Sequence, residues 1–190
     1  MQIAAQVFKL TVAKNAIIFF DDGLPAYITK RFDVKENGER CLKEDFASLA
    51  QMNNLSGKNY KYDYSYEGMA GLIDKFFPSS VAAKEIFFQL IIFNYLFSNG
   101  DAHLKNFSRI DCSAIGDAFL SPAYDLVNTA LHVNDTNLAL TEGLYADDHK
   151  HSSFQELGYY AFDDFQEFGQ RIGLLPVSYT HLTLPTKRIV

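Results

Sequence analysis

The sequence of 190 residues contains no tryptophan, five prolines and only two cysteines, Cys41 and Cys112. Two cysteines cannot build the disulfide framework that staples many small secreted domains, and their spacing matches no zinc-ligand pattern. We therefore expect reduced thiols in a protein located in the cytoplasm. The low proline content, together with an apolar fraction of 48%, excludes a collagen-like or disordered chain.

Long hydrophobic runs are also missing. The longest apolar stretch, residues 86–97, is twelve residues long and is interrupted by Gln89 and Asn94. A membrane-spanning helix needs ~18–20 apolar residues, so this stretch predicts a buried helix and no membrane partner. The first residues lack the basic and apolar regions of a signal peptide, and we expect no such leader.

Positive charge is in deficit. The chain has 17 Lys and Arg against 23 Asp and Glu, which gives a net charge of −6. This balance argues against a protein that coats nucleic acid, because such proteins usually present a basic face. Aromatic residues are abundant instead, with 17 Phe and 11 Tyr, and they predict an aromatic-rich core. The length allows one large domain or two small ones.

The order of predicted elements is sheet first and helices afterwards, which is typical of the α+β class. Turn residues between apolar runs predict strands, and apolar residues at helical spacing predict helices. The predicted strands cover 16–20, 26–32, 106–110 and 118–120, and the predicted helices 44–52, 65–77, 81–98 and 152–173. Residues 2–10 fit either a helix or a strand, and 53–64 are predicted to be a polar loop. Helix caps are expected at Ser79-Ser80 and at Ser153 with Glu156, and a second helix start is expected at Asp163-Asp164. Turns are expected at Asp21-Asp22-Gly23 and Glu36-Asn37-Gly38, and Asn99-Gly100 should end the helix before it.

The segment after the long apolar helix carries the most chemistry. Asp101, His103, Lys105 and Asn106 occur within six residues, and Asp125 follows at the end of the next predicted hairpin. In phosphoryl transfer one carboxylate accepts the proton of the attacking hydroxyl, while an Asn and a second Asp hold Mg²⁺ ions that bridge the ATP phosphates. The Asp-to-Asn separation of five positions is that of the protein-kinase catalytic loop.

Two other interpretations of these residues are possible: a purely structural role and a metal-hydrolase site. Asp101, Asn106 and Asp125 also suit turns and helix caps, and Lys105 alone suits a surface charge. Asp101 and His103 fit part of a metal-hydrolase site, although the other histidines, His132, His149 and His151, show no zinc-type spacing around them.

A family resemblance favours the kinase interpretation. The segment from Asn99 to Ser108 resembles the signature of the HipA-like serine/threonine kinases, the toxin half of a bacterial toxin–antitoxin pair. The run 121–126 resembles the family's magnesium-binding hairpin end, and 28–33 resembles its hinge, where adenine lies. Lys43-Glu44-Asp45 and Lys61-Tyr62 fit the block between them.

The resemblance implies a protein-kinase-like fold and a role for each matching residue. Asp101 would be the catalytic base, and Asn106 and Asp125 would bind Mg²⁺. The remaining residues would contact ATP: Lys30, Arg31 and Phe32 around the adenine, His103 and Lys105 beside the phosphates. The substrates would be protein hydroxyls, including those of aminoacyl-tRNA synthetases, and the partner a DNA-binding antitoxin of the HipB type.

The ends of the chain depart from the family. Such kinases need a phosphate-cradling loop and a strand lysine before the hinge, and the 29 residues before Lys30 contain neither. We expect residues 1–33 to be the remnant of the small lobe with the hinge, and 34–175 to be the helix-rich lobe. Residues 176–190 are expected to be a non-native tail, because 177–186 resemble a translated sequencing adapter, and residues 177–190 are expected to pack poorly.

Two further functions compete with the kinase. One is a non-catalytic binding module that keeps the fold and binds an antitoxin or a substrate protein. The other is a lipid-kinase-like or small-molecule phosphotransferase, which shares the Asp-x-His-x-x-Asn arrangement. The residues after Lys105 and the Pro122-Ala123-Tyr124-Asp125 run favour the toxin family over the latter.

Without the phosphate loop and the strand lysine, this chain should bind Mg–ATP weakly, because the β- and γ-phosphates lose most of their donors. Calorimetry with Mg–ATP on the 190-residue chain measures this. Micromolar affinity would contradict the assignment of the small lobe.

Overall fold

The chain packs short strands and helices around one long helix. A computed structural model describes residues 1–113, 116–147 and 152–180. The helices in these ranges are α1 (Gln2–Gln6), α2 (Phe46–Leu49), α3 (Tyr66–Phe76), α4 (Ser80–Leu96), α5 (Ser152–Leu157), α6 (Phe162–Arg171) and α7 (Pro176–Thr180). The strands are β1 (Asn15–Phe19), β2 (Pro25–Thr29), β3 (Leu42–Asp45), β4 (Ser108–Asp111) and β5 (Phe119–Leu120).

The predicted N-terminal hairpin is confirmed. β1 and β2 pair antiparallel, from Asn15 opposite Thr29 to Phe19 opposite Pro25. Gly23 closes the turn between them at φ +79°, a conformation that glycine adopts without steric cost. The two strands form a sheet of their own, and their apolar side chains are largely exposed. The hairpin therefore lies outside the main core.

A second antiparallel sheet, in the order β3–β4–β5, lies beside the helices. The predicted helix over 44–52 was wrong at its start, because residues 42–45 form β3 and only Phe46–Leu49 are helical. The reason is pairing with a distant segment: Glu44 lies opposite Arg109, and the two side chains form an ion pair of 3.1 Å. The Asp45 carboxylate then caps α2 by accepting from the Ser48 amide at 2.8 Å.

The same sheet brings the two cysteines together. Leu42 pairs with Asp111, so Cys41 and Cys112 lie opposite each other one step further along the ladder. Their Cα atoms are 4.3 Å apart and the sulfurs are joined in a disulfide, so the expectation of reduced thiols was wrong. The two cysteines are 71 residues apart in the sequence, so their pairing could not be predicted without the register of β3 and β4.

Helices α3 and α4 form the centre of the core. The helix predicted over 65–77 is confirmed as α3, and Ser65 caps it by accepting from the Gly68 amide at 3.0 Å. The apolar run in α4 is buried, as predicted. The predicted serine cap is absent, since the Ser79 side chain accepts no hydrogen bond from the first turn of the helix. Phe87 is fully buried and its ring meets those of Phe46 and Phe107. None of the described helices is long and apolar enough to span a bilayer.

The C-terminal helices differ in part from expectation. The predicted helical region 152–173 contains two helices, α5 and α6, and the second begins beside Asp163-Asp164 as predicted. Asp164 caps α6 by accepting from the Ala161 amide at 2.7 Å. The Ser153 side chain lies outside what the structure describes, as do residues 181–190. The expected poor packing of the tail was wrong for its first residues, because Tyr179 is 5% exposed and Ser178 Oγ lies 2.6 Å from Glu85.

The loop after α4 is held by backbone conformation and by one threonine. The helix ends before Asn99-Gly100, as predicted, and Ser98 adopts a left-handed conformation at φ +48°. Thr129 Oγ1 accepts from the Gly100 amide at 2.9 Å and donates to the Ser98 carbonyl at 3.0 Å. These bonds fix the start of the loop that carries Asp101.

Gly100→Ala should destabilise the protein, because an added Cβ would lie 2.4 Å from the Asp135 carboxylate and 2.5 Å from the Thr136 carbonyl. We expect the free energy of unfolding in urea to fall by about 1–3 kcal/mol. Gly71→Ala is the matched control, since it lies within α3 and its Cβ would meet nothing within 4 Å. That variant should gain roughly 0.5–1 kcal/mol. Equal stability of the two variants would contradict the packing described for Gly100.

Candidate active site

A cavity of about 640 Å³ lies between the segment after β2 and the segment that contains Asp125. Four of the predicted ligand-binding residues line it, namely Lys30, Arg31, Phe32 and Asp125. The structure therefore brings the predicted hinge and one predicted metal ligand to the same cavity, although 92 residues separate Asp33 and Asp125 in sequence.

One wall of this cavity is an ion pair between Arg31 and Asp33. Arg31 Nε donates to Asp33 Oδ1 at 2.9 Å, and a second guanidinium nitrogen donates to Oδ2. Asp33 is buried, and the hydrogen bond from Arg31 lowers the pKa of its carboxyl below the usual range. The Arg31 side chain is thus committed to Asp33, and its predicted contact with adenine would come from the backbone.

Two aromatic rings form the other wall. The Phe32 and Tyr124 ring centroids are 5.3 Å apart, and the Lys43 ammonium lies 4.9 Å from the Tyr124 centroid. Tyr124 is anchored through its hydroxyl, which donates to the Lys105 carbonyl at 2.7 Å. Burial raises the pKa of this phenol to about 12, so the hydroxyl stays protonated at neutral pH. A flat ring on the cavity wall suits the stacking of a nucleobase.

Asn106 and Asp125 meet directly. Asn106 Nδ2 donates to Asp125 Oδ2 at 2.9 Å, which orients the Asn106 carbonyl oxygen away from that contact. This Oδ1 is buried and has no hydrogen-bond partner among the described residues. Asp125 itself adopts φ +57°, a left-handed conformation that a non-glycine residue keeps only where the surroundings enforce it.

The unpaired amide oxygen and the carboxylate fit a magnesium ion. Mg²⁺ is usually held by one or two protein oxygens, with water and substrate phosphates completing its shell. In the described residues no group of three or more His, Cys, Asp or Glu side chains is placed to hold a metal ion. A site of Asn106 and Asp125 would accordingly depend on the phosphates of a bound nucleotide.

Asp101 lines a different cavity, of about 520 Å³, together with Tyr62, Thr129 and Asp135. Its Oδ1 accepts a hydrogen bond of 2.6 Å from the Tyr62 hydroxyl. The side chain is 45% exposed, so the carboxylate remains accessible from this cavity. No hydrogen bond among the described residues links Asp101 to Asn106 or Asp125, although the charges of Asp101 and Asp125 both act on the His103 imidazole.

His103 is buried beside Asp101. Its Nε2 lies 2.8 Å from Lys61 Nζ and 3.6 Å from Asp101 Oδ1. Because an ammonium only donates, Nε2 is the acceptor and His103 is neutral. Burial, followed by the charge of Lys61, lowers the pKa of this imidazole below its usual value. His103 therefore does not add a positive charge at neutral pH.

Lys105 lies apart from these groups. Its ammonium is exposed and 3.5 Å from the Tyr60 hydroxyl, and it lines neither cavity. The metal-hydrolase interpretation needs a cluster of metal ligands, and the described residues contain no such group of three or more His, Cys, Asp or Glu side chains. His132 is exposed. His149 and His151 lie outside the described residues.

Sequence reasoning gave no site role to four residues that line or hold these cavities: Lys43, Lys61, Tyr62 and Tyr124. Lys43 directly precedes the helix predicted over 44–52, and the other three residues lie in segments without periodicity. Two signals pointed to them: all four lie in runs that match the family, and residues 53–64 are rich in tyrosine, lysine and asparagine.

Comparisons with known proteins agree with this architecture. The model of the HipA-like C-terminal domain family matches residues 1–186. A Haemophilus influenzae protein named "Putative kinase" is 32% identical over 161 residues, which cover 78% of this chain and 46% of that protein. "Putative kinase Y4dM" of Sinorhizobium fredii is 34% identical over 150 residues, 73% of this chain and 35% of its own length. The chain thus spans less than half the length of these curated relatives.

Two solved structures share the fold. HipA of Shewanella oneidensis MR-1, solved with HipB and operator DNA, matches with a TM-score of 0.67 and 24% identity, over 93% of this chain and 42% of that one. The Helicobacter pylori proinflammatory kinase CtkA matches with a TM-score of 0.57 and 17% identity, over 89% and 66%. The predicted α+β, kinase-like fold class is confirmed.

Proposed function

The chain belongs to the HipA-like C-terminal domain family, and we propose that it carries the catalytic loop of an ATP-dependent serine/threonine protein kinase. The observation that supports this most is the contact of Asn106 with Asp125, which leaves a buried amide oxygen free in a segment whose spacing is that of a kinase catalytic loop. The curated relatives named as kinases support the same reaction class.

The two cavities suit two separate tasks. Lys30, Arg31 and Phe32 would hold the base of ATP against Tyr124, and Asn106 and Asp125 would hold Mg²⁺ at the phosphates. Bound Mg²⁺ would neutralise charge on the phosphates during transfer. Asp101 lines the second cavity, from which an acceptor hydroxyl would approach the γ-phosphate and displace ADP.

Asp101 would act on the acceptor. A Ser or Thr hydroxyl is a weak nucleophile at neutral pH, and a positioned carboxylate orients it and accepts its proton as the bond to phosphorus forms. Tyr62 already occupies Oδ1, so the proton would pass to Oδ2. His103, which lies beside Asp101, is uncharged, so its ring does not offset the negative charge of this carboxylate.

Substrate, partner and location belong to the same proposal. The acceptor would be a protein hydroxyl, possible examples being those of aminoacyl-tRNA synthetases, and the partner a DNA-binding antitoxin. The HipA of Shewanella oneidensis was solved with HipB and operator DNA, which supports the antitoxin. We infer a cytoplasmic location from the match to the toxin–antitoxin family alone, because the disulfide between Cys41 and Cys112 removes the argument from reduced thiols. We infer no direct binding to nucleic acid or membrane.

A non-catalytic binding module is the alternative function. The phosphate loop and the strand lysine would bind the phosphates of ATP, and their expected absence from the 190-residue chain favours a binding module. Transfer of labelled phosphate from ATP by the full-length gene product separates the two functions, because a binding module transfers none.

Asp101→Asn should leave the fold intact, because the amide keeps an oxygen for the Tyr62 hydroxyl. Phosphorylation by the full-length gene product should fall at least about a hundredfold, since the proton acceptor is lost. The matched control is Asp63→Asn, which removes an exposed carboxylate from the preceding loop and should leave the rate unchanged. A folded Asp101→Asn protein with near-normal activity would make Asp101 a structural residue.

Asp125→Asn should act on the cofactor instead. Asn tolerates the left-handed backbone of this position, so the loop should persist. The variant loses a negative ligand, and we expect the affinity for Mg–ATP to fall by about tenfold or more, since Mg²⁺ prefers carboxylate oxygens. Titration calorimetry of the full-length gene product with and without Mg²⁺ measures the change. An unchanged affinity would remove Asp125 from the metal site.

A further inference from the structure

The loop between α2 and α3 delivers two adjacent side chains to the segment that carries Asp101. The Tyr62 hydroxyl donates to Asp101 Oδ1 at 2.6 Å, and the Lys61 ammonium donates to His103 Nε2 at 2.8 Å. About forty residues separate the partners in each pair. These are the contacts that hold the Asp101 carboxylate and the imidazole next to it.

The backbone of Lys61 and Tyr62 is fixed on both sides. The Lys61 carbonyl accepts from the Leu104 amide at 3.1 Å, which ties it to the catalytic loop itself. The Tyr62 carbonyl accepts from the Thr141 amide at 2.9 Å and from the Thr141 hydroxyl at 3.2 Å. An otherwise irregular loop is therefore anchored where it meets the loop of Asp101.

The side chains also contact one another. The Tyr62 ring meets the His103 imidazole edge-on, with centroids 5.0 Å apart. The Lys61 ammonium lies 4.8 Å from the Tyr62 ring centroid, within the range of a cation–π interaction. Movement of the Tyr62 ring would therefore disturb both neighbours, which limits the freedom of its hydroxyl.

Tyr62 is a constant donor. Burial, followed by the hydrogen bond to Asp101, raises the pKa of its phenol to about 12, so the hydroxyl keeps its proton at neutral pH. A hydroxyl that keeps its proton donates to Asp101 and does not compete for the proton of the acceptor. With Oδ1 occupied, Oδ2 is the oxygen left to meet an acceptor hydroxyl.

We propose that Tyr62 is a positioning residue for phosphoryl transfer, which fixes the rotamer of Asp101 through Oδ1 and presents Oδ2 to the acceptor. Lys61 supports it by holding the His103 ring on which Tyr62 packs. The inference rests on the proposed function, since it assigns to Tyr62 a part in the reaction for which Asp101 is the base.

The test compares Tyr62→Phe with Tyr64→Phe in the full-length gene product. Both variants remove one phenolic oxygen from the same loop, but no hydrogen bond from the Tyr64 hydroxyl is found among the described residues. Since a misplacement of about 1 Å costs up to roughly a hundredfold in rate, we expect kcat to fall about tenfold or more in Tyr62→Phe. KM for ATP should change less than about twofold, because the nucleotide lies in the other cavity, and Tyr64→Phe should match the unmodified protein.

A double-mutant cycle separates positioning from general weakening of the fold. If Tyr62 acts through Asp101, adding Tyr62→Phe to Asp101→Asn should cost almost nothing further. Independent losses that multiply would overturn the proposal, as would a normal kcat in a folded Tyr62→Phe protein. Melting curves check the fold; the Phe variant keeps the ring that packs on His103, and its midpoint should stay within a few degrees.

The outcomes distinguish this inference from the proposed function. If the unmodified protein transfers no phosphate, or if Asp101→Asn stays active, the kinase proposal fails. If Asp101→Asn is inactive while Tyr62→Phe is normal, the kinase proposal stands and only the role of Tyr62 is lost.

Discussion

A buried pair of asparagines ties the end of the long helix to the site. Asn99 Nδ2 donates to Asn94 Oδ1 at 2.9 Å and lies 3.4 Å from the Asp125 carbonyl. Both amides are 2% exposed, and a buried amide without a partner costs free energy, so this arrangement resists change. Asp101 follows Asn99 by two residues, and Asp125 is held through its carbonyl. Both carboxylates thus take their positions from one helix end.

Two of the four non-glycine residues with positive φ in the described part of the chain lie in the same region, and the other two are Lys9 and Gln51. Ser98 and Asp125 both have positive φ, and each residue lies beside a segment fixed by side-chain hydrogen bonds. Such conformations persist where the surroundings over-determine them, and they are typical of sites that must hold a group in one orientation. The core of α3 and α4 supplies the rigidity, while the exposed β1–β2 hairpin contributes little to it.

The site also shows how one loop can serve two neighbouring cavities. The end of the loop at Asn106 points to Asp125 and the nucleotide side, whereas its start at Asp101 points to Tyr62. The 3-10 turn Leu104–Asn106 lies between them, with Leu104 buried in the core. The charges of Asp101 and Asp125 both act on the His103 imidazole, so the proposed base and a proposed metal ligand both lie within electrostatic range of one side chain.

Local features were predictable from the sequence. The β1–β2 hairpin follows from Asp21-Asp22-Gly23, and the start of α3 from Ser65. The residues of the proposed catalytic loop lie within ten positions of each other, so they too depend on neighbours in the chain. Features that depend on distant partners were not predictable. Residues 42–45 form a strand because β4 pairs with them, and the register of that pairing places Cys41 opposite Cys112. Tyr62 reaches Asp101 because the backbone of Lys61 and Tyr62 is hydrogen-bonded to Leu104 and Thr141. The sequence by itself determined which groups are available for chemistry, and only the tertiary structure decided which of them touch, since contact between segments tens of residues apart is set by packing.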